Sequence, residues 1–505
     1  MLGTSWAFAS PHGSSADDDY HLTTIWCSQG YTNYCQDAGD DVGVLVPRII
    51  AYPACYVTWP ATISAGCVND VTYDLIYTTR INPPGGAYPE GFYNVMGRLA
   101  GMDVPASVQI MRVTNVLIAS GFLLLALSSL QRSLARAVAL AWAVGIIPLG
   151  VFFIASTNPS SWIITGVGLY WAFLLSLLRD HNFRRASFWI RVAGLLGTAT
   201  LALVARSDAA IYLLTSTIAV LIVETPRLLP RWKSILPFAI AGIVGLVGFA
   251  YIALRDRYLG WPMSWPGSQT ATDQPNPVLK TLLEVPSFLV GLLGGQEPGF
   301  VLSESGVNQG VDGYRPTGLV YGLGWTDVQV PSIVAISGLV AVVVVLTVGL
   351  NSYRRSRLVA ASFILVAVVG QILIMRSMVD FIAFWEIQPR YFMPIFLVLL
   401  GVLLLRPNSR KPMLTRAQAL VVVLSIAVAG SVSWMATAAR YAIGPEAAFT
   451  NFGQTADWWW EFGPSRLVWF CLTVIFSTVW GLATVWNYGA RSPRSARPAS
   501  FQLQR

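Results

Sequence analysis

The chain has 505 residues, 54% of them hydrophobic and only 11% charged, with a mean hydropathy of +0.57. A water-soluble globular chain carries about 25% charged residues, so most of this one must face something other than water. That excludes a disordered chain, a fibrous protein and a soluble nucleic-acid binder, and it leaves one polytopic membrane body with polar loops.

Read in chain order, Met1–Ser10 is apolar but too short to cross a bilayer, and reads as the end of a truncated first span. A start codon misassigned by about half a span would produce such a stub. No signal peptide is visible. Runs approaching the roughly 20 residues that a crossing helix needs follow at 108–130, 137–155, 162–178, 188–205, 209–223, 234–254, 331–351, 358–375, 391–405, 416–436 and 467–487. The expected fold is therefore an all-α polytopic membrane protein of about eleven full transmembrane helices after the truncated first one.

The charges orient this bundle. Basic clusters occupy alternate connections: Arg132 and Arg136; Arg179, Arg184 and Arg185; Arg227, Arg231 and Lys233; Arg354, Arg355 and Arg357; Arg406, Arg410, Lys411 and Arg416; and Arg491, Arg494, Arg497 and Arg505. Only Asp180 and Glu224 of the 25 acidic residues share their face. The positive-inside rule makes that face the cytoplasm. The net charge of +8 is then an orientation signal, and the expected location is the plasma membrane with a cytoplasmic C-terminus.

The chain divides into residues 1–107, a stub and a long outer loop; 108–254, spans; 255–330, a second outer loop; 331–487, spans; and 488–505, a basic cytoplasmic tail. Cys27, Cys35, Cys55 and Cys67 all fall in the first outer loop, which favours two disulfides in an oxidising compartment over a four-ligand zinc site lacking a C-x-x-C knuckle. Three pairings remain open. Within the second loop, Asn276–Gly295, interrupted by Pro286, reads as an interfacial or re-entrant helix. In the third, Tyr441–Arg466, the run Trp458-Trp459-Trp460 reads as an aromatic belt before it reads as a sugar platform.

Chemistry, if present, belongs outside. The densest acidic feature is Asp17-Asp18-Asp19, followed by His21. Adjacent carboxylates repel, and persist in water, around a cation, or where one holds a proton. One could act as a general base while a neighbour binds a divalent cation, Mg or Mn, or orients an acceptor; the bland alternative is an acid-rich loop. The second feature is Gln388-Pro389-Arg390-Tyr391-Phe392, at the outer start of a span, where an Arg can grip a phosphate or merely anchor a helix end. Arg376 and Asp380 lie in the same outer connection. Arg206-Ser207-Asp208 reads as an ion pair in a tight turn, and Ser156-Thr157-Asn158-Pro159-Ser160 as ordinary turn chemistry. No span carries an ionisable group near its midplane and no internal repeat is visible, which disfavours ion-coupled transport.

Four features taken together are similar to a bacterial polytopic family catalogued as domain of unknown function 2142. They are Asp17-Asp18…His21 after a truncated span, Asn82-Pro83-Pro84-Gly85-Gly86…Tyr93, Asn158-Pro159-Ser160, and Gln388-Pro389-Arg390-Tyr391-Phe392…Pro394. The resemblance covers nearly the whole chain. That family in turn resembles the C-type glycosyltransferases, multi-span enzymes that use polyprenyl-phosphate sugars outside the cytoplasm. The resemblance implies a bundle capped by its outer loops, with Asp17 and Asp18 catalytic. It places His21, Arg376, Gln388, Arg390 and Tyr391 around the substrate, and it leaves room for a cation on Asp17, Asp18 and Asp19. The partners implied are membrane lipid, a polyprenyl-phosphate sugar and an envelope glycan acceptor. This chain departs from the family pattern with Asp19 in place of Pro, Pro389 in place of Gly, and most of the first helix absent. The alternative reading is a non-enzymatic transporter, flippase or assembly protein for envelope lipids or polysaccharide.

Overall fold

The computed structural model describes residues 1–39, 42–52, 55–56, 64–83, 86, 88–180, 182–228, 291–293, 323–325, 327–328, 330–350, 354–378, 388–406, 412–444 and 458–490, with side chains omitted at 226–228 and 373–378. Among these residues seven helices are long and apolar enough to cross a membrane: Val104–Ser129, Ser160–Arg179, Ala186–Leu203, Ser332–Leu350, Arg355–Ile372, Arg416–Ile443 and Arg466–Ala490. Ala209–Thr225 and Met393–Leu404 are shorter apolar helices. The chain is a polytopic helical protein, and its position in a membrane follows from these helices.

The helical elements, in chain order, are α1 (Leu2–Ala7), α2 (Asp18–Cys27), α3 (Arg48–Ala51), α4 (Glu90–Gly97), α5 (Val104–Ser129), α6 (Arg132–Gly145), α7 (Leu149–Ile154), α8 (Ser160–Arg179), α9 (Ala186–Leu203), α10 (Ala209–Leu228), α11 (Ser332–Leu350), α12 (Arg355–Met378), α13 (Met393–Leu404), α14 (Arg416–Ile443) and α15 (Arg466–Gly481). Their ends are written in the sequence. Asp103 caps α5 by accepting from the Ala106 amide at 3.0 Å, with a proline in the first turn. Thr415 and Gln418 form a reciprocal capping box on α14.

The expected run 137–155 is not one span. It breaks between α6 and α7 at Ile146-Ile147-Pro148, because proline can neither donate to the helical ladder nor fit inside it. The run 234–254 lies outside the described residues.

α8 is apolar on every side, and the whole of its membrane-length window is buried, against 39% for α5 and 39% for α9. It is a central helix, packed on by α5, α6, α7, α9, α10 and α13. Gly166 lets α9 approach closely, since a Cβ there would stand 2.6 Å from the Thr198 carbonyl oxygen. The outer helices expose apolar residues at helical spacing: Ile110, Leu117 and Leu124 on α5; Ile336, Leu339 and Val343 on α11; Leu420, Leu424 and Val428 on α14. Such stripes suit contact with lipid tails.

Hydrogen bonds sort the connections into two ends. At one, Arg179 pairs with Glu224 at 2.6 Å, Arg191 with Asp180 at 2.8 Å, and Arg406 donates to the Val348 carbonyl at 2.5 Å. At the other, the acidic loop after α1 meets the turn before α8 and the start of α13. There the first long loop forms a small lobe with a three-stranded antiparallel sheet: β1 (Gln36–Asp37), β2 (Val44–Pro47) and β3 (Leu75–Thr78). Two disulfides pin it, Cys27–Cys35 and Cys55–Cys67, which resolves the open pairing in favour of near neighbours. Cys471 is a free, exposed thiol. Of the second loop only a few residues are described, including buried Leu292 and Leu293. The rest of the expected interfacial helix, and the tail beyond residue 490, lie outside the described residues.

The tryptophan run does not behave as a surface belt. Trp459 and Trp460 are buried, and the Trp460 indole donates to the Phe8 carbonyl at 3.3 Å. The segment that follows α1 occupies the interior at that level, so the Trp460 indole finds a backbone acceptor there instead of a headgroup.

Candidate functional site

The site begins with a loop that the rest of the protein holds rigidly. Arg112, fully buried on α5, donates to the carbonyls of Ala7 (3.1 Å), Ser10 (2.7 Å) and Pro11 (2.7 Å) and to Ser14 Oγ (3.1 Å). Further donors close on α1 and the same loop: Trp434 Nε1 to the Ser5 carbonyl (2.8 Å), Trp325 Nε1 to the Gly13 carbonyl (2.7 Å) and Tyr56 Oη to the His12 carbonyl (3.1 Å). A buried loop needs such partners, because each unsatisfied carbonyl is costly away from water.

The three aspartates leave this loop in different directions. Asp18 is fully buried. Its Oδ1 accepts from Thr157 Oγ1 at 2.7 Å, and its Oδ2 accepts from the Ser15 amide at 3.0 Å. Burial pushes its carboxyl up to about 6, against the pull of Arg112 and these two hydrogen bonds. Asn158 Nδ2, in the same turn as Thr157, donates to the Ala16 carbonyl at 3.0 Å. The Asn158-Pro159-Ser160 turn therefore latches the acidic loop onto α8.

Asp17 stands at φ 62°, the one non-glycine residue in the left-handed region among the described residues. Its side chain is one-third exposed, Oδ2 lies 3.0 Å from Arg390 Nη2, and Oδ1 lies 3.4 Å from Arg80 Nη2. Burial alone would raise its carboxyl, but the guanidinium groups of Arg390 and Arg80 outweigh it and hold the group below its ordinary value. Asp19 takes Arg80 bidentately, at 2.8 and 3.0 Å. Arg80 reaches this place because β3 ends two residues before it, so the disulfide-pinned lobe delivers it.

Arg390 closes the site from the far end of the sequence, 373 residues from Asp17. It lies in the short 3₁₀ turn Pro389–Tyr391 ahead of α13, is 8% exposed, and sits over the rings of Phe153 (5.3 Å) and Tyr391 (5.1 Å). Its Nη2 also donates to Tyr391 Oη at 3.3 Å, while its Nε is buried with no hydrogen-bond partner among the described residues. A cavity of about 10 Å³, room for roughly one water, opens beside it and is lined by Leu149, Phe153, Gln388, Pro389 and Arg390, with Gly291 and Gly324 opposite. Arg206 approaches Tyr391 as well, with its guanidinium 4.9 Å from the ring, while pairing with Asp208 at 2.8 Å. The ion pair expected of that turn exists, and it also places a second cation beside the site.

His21 lies behind Asp17 in an aromatic box, 5.1 Å from the Tyr88 ring and stacked on Tyr93 at 6.0 Å, with Tyr93 Oη 2.9 Å from Nδ1. Burial, reinforced by Arg390, Arg206 and Arg80 against the pull of Asp17, lowers its pKa to about 3. It is a neutral ring. Asn82 fixes the box by accepting from Tyr20 Oη (2.8 Å) and donating to the Tyr88 carbonyl (2.9 Å).

Residues 1–259 match the family described as Predicted membrane protein (DUF2142), just over half of the 505 residues. The chain belongs to that family. No curated protein and no solved structure matches it. The DUF2142 match contains the aspartates, His21, Arg80, Arg112, the Thr157–Asn158 turn and Arg206; Arg390 and Tyr391 lie beyond it.

Of the residues singled out in the sequence, the fold gathers Asp17, His21, Gln388, Arg390 and Tyr391 into one region. The Arg376 side chain and Asp380 lie outside the described residues. The aspartate triplet does not fit a shared metal: Asp17 and Asp19 face arginines, Asp18 faces a hydroxyl and an amide, and no three acid, His or Cys side chains converge among the described residues. Arg80 and Arg112 carry no local motif, and Thr157 read only as part of an ordinary turn. For Arg112 there was one usable signal, a lone charge inside the first turns of a span.

Proposed function

We propose that this DUF2142 protein is a membrane glycosyltransferase of C-type character. It transfers a sugar from a polyprenyl-phosphate donor to a cell-envelope acceptor at the outer face of the plasma membrane, with the C-terminus cytoplasmic. The observation that carries the reading is the 3.0 Å approach of Asp17 to Arg390 beside a cavity, with the buried Nε of that arginine left without a partner among the described residues. A base and a phosphate grip are thereby adjacent, on the same end of the bundle as the disulfide-pinned lobe.

In this reading Asp17 Oδ2 takes the proton of an acceptor hydroxyl as its oxygen bonds to the anomeric carbon. The bond from that carbon to the phosphate oxygen breaks, and the polyprenyl phosphate leaves with the electron pair. The negative charge that develops on the leaving phosphate faces Arg390, where a buried, preorganised cation is most effective. Attack opposite the leaving phosphate inverts the anomeric centre. Asp18 holds the loop, since it is sealed from any acceptor. His21, neutral and boxed, shapes the wall behind Asp17.

The test is transfer by purified protein in nanodiscs supplied with polyprenyl-phosphate sugars, alongside envelope glycan composition after gene deletion. Asp17→Asn should lower turnover by about 10²–10⁴-fold, the usual contribution of a general base, in protein that still folds. Parental turnover in Asp17→Asn, or an unchanged envelope in the deletion strain, would refute the assignment.

A further inference from the structure

Arg390 is nine-tenths buried, lines the cavity, and spends one nitrogen on Asp17 and Tyr391 while Nε has no partner among the described residues. A guanidinium recognises phosphate through two parallel N–H groups. Here one of the groups that would take part is already occupied by a carboxylate of the protein itself. That carboxylate has an alternative holder, because Arg80 lies 3.4 Å from its other oxygen. Arg80 is in turn fixed by two hydrogen bonds to Asp19 and lies over the Tyr20 ring at 5.6 Å. Asp17 therefore sits between two cations, one in the cavity wall and one in the outer lobe.

We infer that Asp17 is the resident counter-anion of Arg390, and that an incoming phosphate displaces it onto Arg80. The proposal rests on the transferase reading and specifies how that site is regulated. Phosphate binding and release of the base become one event, because the Asp17 Oδ2 that Arg390 surrenders is the atom that would receive the acceptor's proton. Without donor, the carboxylate is tied to Arg390 and a poor base. With donor bound, the phosphate neutralises Arg390 and Oδ2 faces the acceptor. The exchange conserves charge at Arg390, one anion leaving it as another arrives.

The experiment measures binding, not transfer. Full-length protein in nanodiscs is titrated with a long-chain polyprenyl monophosphate and, separately, with inorganic phosphate, using native mass spectrometry. Asp17→Asn keeps the shape of the side chain and removes its charge; Asp17→Gly removes the side chain and suits the left-handed backbone, so it serves if the first variant folds poorly. Both variants should bind polyprenyl monophosphate about ten-fold tighter than the parent, the order expected when a charge-assisted competitor is removed. Arg390→Gln should abolish the binding. If the parent binds and both Asp17 variants bind equally or more weakly, the exchange is wrong and the transferase reading stands. If neither parent nor variants bind the lipid phosphate, the transferase reading falls and takes the donor with it. Inorganic phosphate binding that tightens in the Asp17 variants would then support the exchange for a free phosphate alone.

Discussion

Asp18 offers the sharpest quantitative test, because its environment opposes its charge. Its carboxyl is lifted from an ordinary 3.8 to about 6. At about 1.36 kcal/mol per pH unit, this makes the ionised form roughly 3 kcal/mol less favourable in the folded protein than in the unfolded chain. The sign follows directly. Between pH 4 and 6 the folded state binds the extra proton, so the parental protein loses stability as pH rises through that window and is relatively most stable below it. Asp18→Asn cannot titrate. It keeps an acceptor for Thr157 Oγ1 but turns a donor towards the Ser15 amide, which costs about 1–3 kcal/mol. The two effects are of similar size and opposite sign at pH 7, so the variant should be close to parental there and clearly less stable near pH 4.5. Thermal unfolding midpoints of purified parent and variant, measured across pH 4.5–7.5 in one detergent, give the difference directly. A gap that stays constant with pH would show that Asp18 is not a buried titrating group, and would undo its separation in role from Asp17.

Other consequences are simpler. Arg112→Gln removes at least three hydrogen bonds to the loop after α1 and should prevent folded protein from accumulating, as judged by fluorescence-detected size exclusion. Asp327 and Arg440 form a buried pair at 3.2 Å, each 4% exposed, so Asp327→Leu alone should destabilise by about 3–5 kcal/mol while the double substitution with Arg440→Met recovers most of it, as a double-mutant cycle in thermal unfolding would report. Arg80→Ala should change stability by less than about 1 kcal/mol, since its ion pairs are one-fifth to one-third exposed; a larger drop in unfolding midpoint would mean that the outer lobe depends on it. Replacing Cys55 and Cys67 by Ser should lower stability by about 2–3 kcal/mol through the freed loop, and thiol labelling of the parent should find only Cys471 reactive without reductant.

The spans were legible because continuous apolarity is a local property, and most of the expected runs are helices in place. The exceptions have causes. The run 137–155 is apolar throughout, so hydropathy could not reveal that Pro148 ends one helix and begins another. Trp458-Trp459-Trp460 has the composition of a headgroup belt, and only the buried course of residues 5–16 makes Trp460 an interior donor. Asp17 and Arg390 were each conspicuous, one by clustering and one by its place before a span. Arg80 was not, since what distinguishes it is contact across 61 residues to Asp19, and Arg206 read only as the partner of Asp208, its place over the Tyr391 ring being set by the fold. Nor could three adjacent Asp letters disclose that one carboxylate is sealed and its neighbour one-third exposed, because that difference is created by Thr157 and Arg112.

The division of labour among those aspartates follows from where they stand on α2. Asp18 opens the helix and turns inward to the amide of Ser15 and the hydroxyl of Thr157, so the loop closes on itself and on α8. Once that residue is fixed inward, the left-handed φ of Asp17 rotates its side chain away from Asp18 and towards Arg390. Asp19, one step further round the helix, meets Arg80 from the lobe. Three like charges are thus turned apart and each compensated, Asp18 by a hydroxyl and an amide, Asp19 by Arg80 and Asp17 by Arg390 with Arg80 behind it, which offsets the repulsion that makes such a triplet improbable in a plain loop. The inward residue supplies rigidity, the lobe-facing one positions Arg80, and the remaining one is the carboxylate that can exchange partners. A substituted side chain at position 17 that cannot leave Arg390, such as one locked there by an engineered cross-link, would preserve the architecture and abolish the function proposed for it.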